Sequence, residues 1–222
     1  MVLRVLLCNW RIAAAALALA LAVPSAAAQP KAPPLRIVVL GDSLVAGFQL
    51  RASEAFPAQL ERALKARGHA VEVINAGVSG DTTAAGLERM RWAVPERTDA
   101  VILELGANDA LRGLDPARAR ANLAKIITAI KRGGGEVLLA GMLAPRNLGE
   151  DYAKAFDAIY PELAAEHGIM LYPFFLDGVA MNPALNLGDG IHPNAKGVAE
   201  IVTRILPSVE ELMARVRAGS KG

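Results

Sequence analysis

The sequence predicts an α/β protein in three layers, with a five-stranded parallel sheet covered by helices on both faces. Three observations carry this. Apolar runs of strand length alternate with stretches of helical period along the whole chain, which is the signature of a parallel sheet whose crossovers are helices. Glycine and proline fall where those helices should stop or start. Aromatics make up only 5% of the 222 residues while Ala, Leu, Val, Ile and Gly abound, a composition that suits helix–sheet layers better than a sandwich.

Taken in order, residues 35–40 form the first strand and 54–67 the first long helix, which Gly68 should end. Residues 70–74 follow as a strand, 82–92 as a helix in which Trp92 packs, and 100–105 as the third strand. Asp115-Pro116 opens a helix over 116–131, with Pro in the first turn, and Gly133-Gly134-Gly135 closes it. Strand 136–141, helix 152–167 closed by Gly168, strand 169–172 and a last helix from Pro193 complete the pattern. Pro207 should break or kink that last helix near Leu206.

The first 28 residues stand apart. Arg4 and Arg11 flank an almost purely Ala/Leu run over 12–23, too short to span a membrane comfortably, and Ser25-Ala26-Ala27-Ala28 supplies small residues for cleavage. We expect 1–28 to be a secretory signal, 29–34 a short leader, 35–218 a single domain and 219–222 a tail, in a secreted, periplasmic protein. The sole cysteine, Cys8, would leave with the signal, so packing rather than disulfides must hold the mature chain. Removing Arg4 and Arg11 takes 24 basic residues to 22 against 22 acidic ones. Nothing in that balance argues for a nucleic-acid or anionic-membrane partner, and nothing demands more than a monomer.

In open parallel sheets ligands collect at the carboxyl ends of the strands. Gly41-Asp42-Ser43-Leu44 follows the first strand, Ser79-Gly80-Asp81 the second, and Gly106-Ala107-Asn108-Asp109 the third. Ser43 needs a base to become a nucleophile. Of the three histidines, His69 follows a turn glycine and His167 sits at a helix C-terminus, both explicable as surface residues. His192 stands in Gly188-Asp189-Gly190-Ile191-His192-Pro193-Asn194, where Asp189 can reach its ring and fix the tautomer. Taken alone, that pair fits equally well a turn with a capping Asp. Gly80 suits a turn before a helix capped by Asp81 or Thr82, and could also aim its N–H at a substrate oxygen. Asn108 could be a turn residue or an amide donor to a developing oxyanion; Asp109 is the scaffolding member of its pair.

Their order along the chain resembles the SGNH family, the GDSL esterases and lipases, and within it the secreted multifunctional branch of thioesterases, lysophospholipases and arylesterases. The likeness covers nearly the whole mature chain, including the stretches SGDTT, ELGANDALRG, AIYPELA, PFFL and DGIHPN. The resemblance implies a flavodoxin-like SGNH hydrolase fold and no metal or cofactor. It implies Ser43 as nucleophile, His192 as base, Asp189 as its orienting acid, and an oxyanion hole from the Ser43 and Gly80 N–H groups with the Asn108 amide. The substrate would be a small-molecule or lipid-like ester, hydrolysed through an acyl-enzyme. Leu111, Met142, Leu143, Pro145 and Leu148 could line an acyl groove or merely pack the domain.

Two other readings compete. A carbohydrate O-deacetylase would share the scaffold but want a polar cleft. A non-catalytic nucleotide- or flavin-binding protein would share the sheet, yet the chain has no G-x-x-x-x-G-K-[ST] and no G-x-G-x-x-G after the first strand, and would give Asp189 and His192 no task. The α/β-hydrolase elbow G-x-S-x-G is absent around Ser43.

Overall fold

The computed structural model describes residues 33–219; the expected signal, most of the leader and the last three residues lie outside them. Strand β1 (Leu35–Gly41) runs into a one-turn helix α1 (Ser43–Ala46), followed by a 3₁₀ turn and α2 (Phe56–Ala66). Next come β2 (Val71–Gly77), α3 (Thr83–Ala93), β3 (Ala100–Glu104) and a short α4 (Ala107–Leu111). The chain continues through α5 (Pro116–Arg132), β4 (Glu136–Ala140), a second 3₁₀ turn, α6 (Glu150–Asp157), α7 (Ile159–His167), β5 (Met170–Tyr172) and α8 (Ala195–Gly219).

The five strands are parallel in the order β2-β1-β3-β4-β5, the flavodoxin-like arrangement expected. Because β1 and β3 are central and covered on both faces, every residue over 37–41 and 100–104 is buried, which is why 37–40 and 100–103 read as unbroken apolar runs. The edge strand β2 is buried only at Val71, its other residues being half-buried or exposed. Helix α5 starts as its sequence predicts, with Asp115 Oδ1 accepting the Ala117 N–H at 2.9 Å and Pro116 in the first turn. Gly168 ends α7 in the left-handed region.

Four details differ from expectation. The helix expected over 152–167 is two helices meeting at Ala158, with Pro161 in the first turn of the second. Pro207 does not end α8, which continues to Gly219: Leu206 and Val209 are buried on either side of it, and packing outweighs the missing backbone bond. Nor does Pro193 open α8; it pairs with Asn186, and Asn194 caps the helix two residues later, its Oδ1 accepting the Lys196 and Gly197 N–H groups. Trp92 is 71% exposed rather than packed, with the Arg89 guanidinium 6.0 Å from its ring centroid. Among the described residues no helix is long and apolar enough to cross a membrane.

Helix α1 rides directly on the end of β2. A Cβ on Gly77 would lie 2.3 Å from Ala46 N and 2.8 Å from Ala46 Cα. Gly77→Ala must therefore displace the short helix that begins with Ser43, and we expect it to cost about 1–3 kcal/mol. Urea unfolding of the two proteins checks this; unchanged stability would mean that α1 shifts freely.

Candidate active site

The first three strands stop at the same edge of the sheet, and each hands over to a polar turn. At the end of β1, Asp42 is fully buried and caps α1, its Oδ1 accepting the Leu44 N–H at 3.0 Å. This holds Ser43 at the first position of α1, where its N–H donates to no described residue. Beyond β2 the turn over 78–81 closes on an Asp81 N–H to Val78 carbonyl bond, with Gly80 at φ +87°. Beyond β3, Asp109 reaches back to accept the Thr83 N–H at 2.8 Å and its hydroxyl at 2.7 Å, fastening the start of α3, which Thr82 also caps. Asp109 is thus the scaffolding partner its neighbour Asn108 needs.

His192 arrives from the far end of the chain. Asp189 Oδ1 accepts the N–H groups of Ile191 and His192 at 2.9 and 3.0 Å, while its Oδ2 lies 2.8 Å from His192 Nδ1. The turn is anchored by Asn186, whose amide donates to the carbonyls of Val179 and Asn182. His192 Nε2 then lies 2.9 Å from Ser43 Oγ. Ser43, His192 and Asp189 therefore form one continuous hydrogen-bonded chain across 149 residues of sequence. The Phe48 ring, 4.4 Å from the imidazole between centroids, covers its face. His69 and His167 lie elsewhere, His69 Nε2 3.0 Å from Glu210 and His167 at the end of α7.

Gly80 and Asn108 differ in how they meet this chain. The Gly80 carbonyl accepts from Arg112 at 2.9 Å, and its N–H donates to no described residue. Asn108 is held on both sides, its Nδ2 donating to Asp42 Oδ2 and to the Asp81 carbonyl at 3.0 Å each. An oxyanion bound at this amide would compete with those acceptors for its hydrogens.

Beside Ser43 opens a cleft of about 490 Å³. Of the expected groove residues, Leu111, Met142, Leu143 and Pro145 line it. Leu148 does not: the 3₁₀ turn at Arg146–Leu148 carries the chain away, and Arg146 is the last residue of that segment on the cleft wall. Phe174 and Leu176 from the PFFL stretch, Ile191 from DGIHPN, and Met181 add further apolar wall.

The carboxylates of the site are driven in opposite directions. The backbone N–H bonds from His192 and Ile191, and then the imidazole, hold Asp189 down at about 2, so it stays anionic wherever a serine nucleophile can work. Burial pushes Asp42 up to about 6, against the hydrogen bonds from Leu44 and Asn108. Behind it, fully buried Glu104 receives the Asp42 N–H at 3.3 Å on one oxygen and has no partner on the other. Burial and the neighbouring Asp42 charge raise its pKa well above the usual carboxylate range.

The folded protein keeps a proton on Asp42 up to about pH 6, whereas the unfolded chain loses it near 3.8. Between those values the folded state binds more protons, so this group's contribution to stability falls as pH rises, by about 3 kcal/mol over the window. Asp42→Asn should flatten the pH dependence of urea unfolding between about pH 4 and 6 relative to wild type; an undiminished slope would assign the proton uptake elsewhere.

Comparison with known proteins agrees with this geometry. Residues 39–199 match the model of the GDSL-like Lipase/Acylhydrolase family. The arylesterase of Vibrio mimicus is 41% identical over 175 residues, covering 77% of this chain and 88% of the relative. The thioesterase 1/protease 1/lysophospholipase L1 of Escherichia coli K12 is 40% identical over 159 residues, 71% of this chain and 75% of the relative. Among solved structures, AlinE4, an SGNH-hydrolase family esterase, superposes with a TM-score of 0.68 at 47% identity, covering 80% of this chain and 96% of that one. With its strand order, its Gly41-Asp42-Ser43-Leu44 turn and a family match over most of its length, the chain belongs to the GDSL-like lipase/acylhydrolase family.

Proposed function

We propose that this protein is a serine esterase that hydrolyses carboxylic esters through an acyl-enzyme. The observation that carries the reading is the Ser43–His192–Asp189 hydrogen-bonded chain at the mouth of an apolar cleft. In this mechanism Ser43 Oγ attacks the acyl carbon while His192 Nε2 takes its proton and delivers it to the departing oxygen. Water then repeats the attack on the acyl-enzyme, with His192 again as base, and frees the acid. Asp189 holds the imidazole by Nδ1 and balances the positive charge that forms on it. The carbonyl oxygen becomes negative in each step, and the N–H groups of Ser43 and Gly80 with the Asn108 amide are the proposed donors to it.

An aryl or acyl ester with an apolar acyl group fits the lining of Leu111, Met142, Leu143, Pro145, Phe174, Leu176 and Ile191. Thioesters and lysophospholipids present the same carbonyl and enter the proposal as candidate substrates, the E. coli relative being named for both chemistries. The apolar lining speaks for these over an acetylated sugar. The proposal includes export to the periplasm with removal of residues 1–28, a leader over 29–34, one catalytic domain over 35–218, and a monomer. It is supported by the Ala/Leu run between Arg11 and Ser25 and by the balanced charge of residues 29–222.

Ser43→Ala should lose both burst and turnover on aryl esters, and an organophosphonate should label wild type at Ser43 alone; labelling at Ser79 would overturn the assignment. Asn108→Ala should fold, by circular dichroism, but turn over about 10²–10³-fold more slowly. Near-normal kcat would remove Asn108 from the oxyanion site. A chain-length series of aryl esters and matching thioesters, with acetylated sugars as contrast, distinguishes the substrate classes.

A further inference from the structure

The three turns that bear the proposed oxyanion donors lie beyond the reach of the sheet's hydrogen bonds. Pairing of β1 with β2 ends at Gly41 and Gly77, and pairing of β1 with β3 ends at Leu40 and Leu103. Ser43, Gly80 and Asn108 all come after those last rungs, so something else must set the spacing between them.

Arg89, in the middle of α3, is 7% exposed and projects a guanidinium into this gap. Its Nη2 donates to the Gly41 carbonyl at 2.9 Å, and its Nε to Asp81 Oδ2 at 2.5 Å. The same Gly41 carbonyl accepts the Val78 N–H at 3.0 Å. The Asp81 carbonyl in turn accepts from Asn108, whose amide also reaches Asp42. A closed ring of contacts thus runs Gly41, Arg89, Asp81, Asn108, Asp42. Each donor-bearing turn is touched by it within two residues of Ser43, one of Gly80, and at Asn108 itself.

Resting on the esterase reading above, we propose that Arg89 is a positioning residue that fixes the Gly80 turn against the Ser43 turn and so sets the geometry of the oxyanion hole. Stability alone does not explain the pair. Two charges taken out of water cost as much as their attraction returns, and apolar replacements of such pairs are often neutral or better. What the guanidinium supplies is a rigid planar fork with N–H groups aimed at two acceptors at once, which a lysine ammonium on a flexible stem does not. Trp92 shields the arginine from outside. Since the donors act only on charge that develops during reaction, a loosened spacing should lower kcat and leave KM alone.

Two variants test this, Arg89→Lys and the charge-free double variant Arg89→Met with Asp81→Asn, which leaves no buried carboxylate unpaired. Both should fold with melting temperatures within about 5 °C of wild type. On an aryl ester, kcat should fall about 10²-fold in the double variant and less in Arg89→Lys, with KM within about twofold. The matched thionoester supplies the readout that a scaffolding role would not move. Its sulfur is a poor acceptor, so it gains little from well-placed donors, and the preference for the oxygen ester should shrink in step with kcat. Unchanged kcat in the folded variants, equal losses on both esters, or failure of both variants to fold would overturn the positioning role. Ser43→Ala, assayed alongside, should be inactive; retained activity would instead sink the esterase reading on which the proposal rests.

Discussion

The site depends on one constraint, the burial of β1 between β2 and β3 with helices over both faces. A strand so placed can carry no polar side chain along its length, and over 37–40 it carries none. The first position at which the chain can present chemistry is the residue after the ladder ends, and there Asp42 and Ser43 stand. The neighbouring strands end at the same edge, which is why the polar turns of three distant segments gather there. The sheet delivers them there; it does not finish their alignment, because the pairing of β1 with its neighbours stops two residues before Ser43, three before Gly80 and five before Asn108.

Alignment is completed by buried polar groups, and these carry a cost in stability. Asp42 and Glu104 both lose solvent, and Glu104 leaves an oxygen without a partner. Asp42 recovers part of that through the Leu44 N–H and the Asn108 amide. Asp189 sits at the opposite extreme, partly exposed and fed by two backbone N–H groups, and needs no compensation. The local field therefore separates the acid that must stay charged from the acid that serves as a brace.

Much of this is legible in the sequence. Strand positions and the parallel sheet follow from apolar periodicity and from Gly and Pro punctuation; the meeting of Ser43 with Asp189 and His192 is what the family resemblance implies, since the pair alone fits a capping turn equally well. The structure adds what depends on three dimensions alone. Arg89 looks like any arginine on an amphipathic helix, and only the approach of α3 to the end of β1 turns it inward. Phe48 lies in no quoted stretch, and although Phe174 and Ile191 lie in PFFL and DGIHPN, neither stretch says that they wall the cleft, because covering an imidazole or walling a cleft requires only bulk. Leu148 misleads, since an apolar residue near a groove in sequence says nothing about which way a 3₁₀ turn sends the chain. Pro207 misleads for another reason: local propensity yields to the packing of a long helix on the core.

Asp189 and His192 lie three residues apart on one turn, whereas Ser43 is 149 residues from its histidine. The proposed acid and base therefore share one short turn, in which Asp189 accepts the Ile191 and His192 N–H groups and Asn186 anchors the loop. Ser43 belongs to the turn after β1 and the Asp189–His192 pair to the loop that leads into α8, and the imidazole meets the other side through the Ser43 hydroxyl and the Phe48 ring. Competence is thus a property of docking. Displacing His192 from Ser43 would break the proposed proton path even with the Asp189 bonds within the turn unchanged.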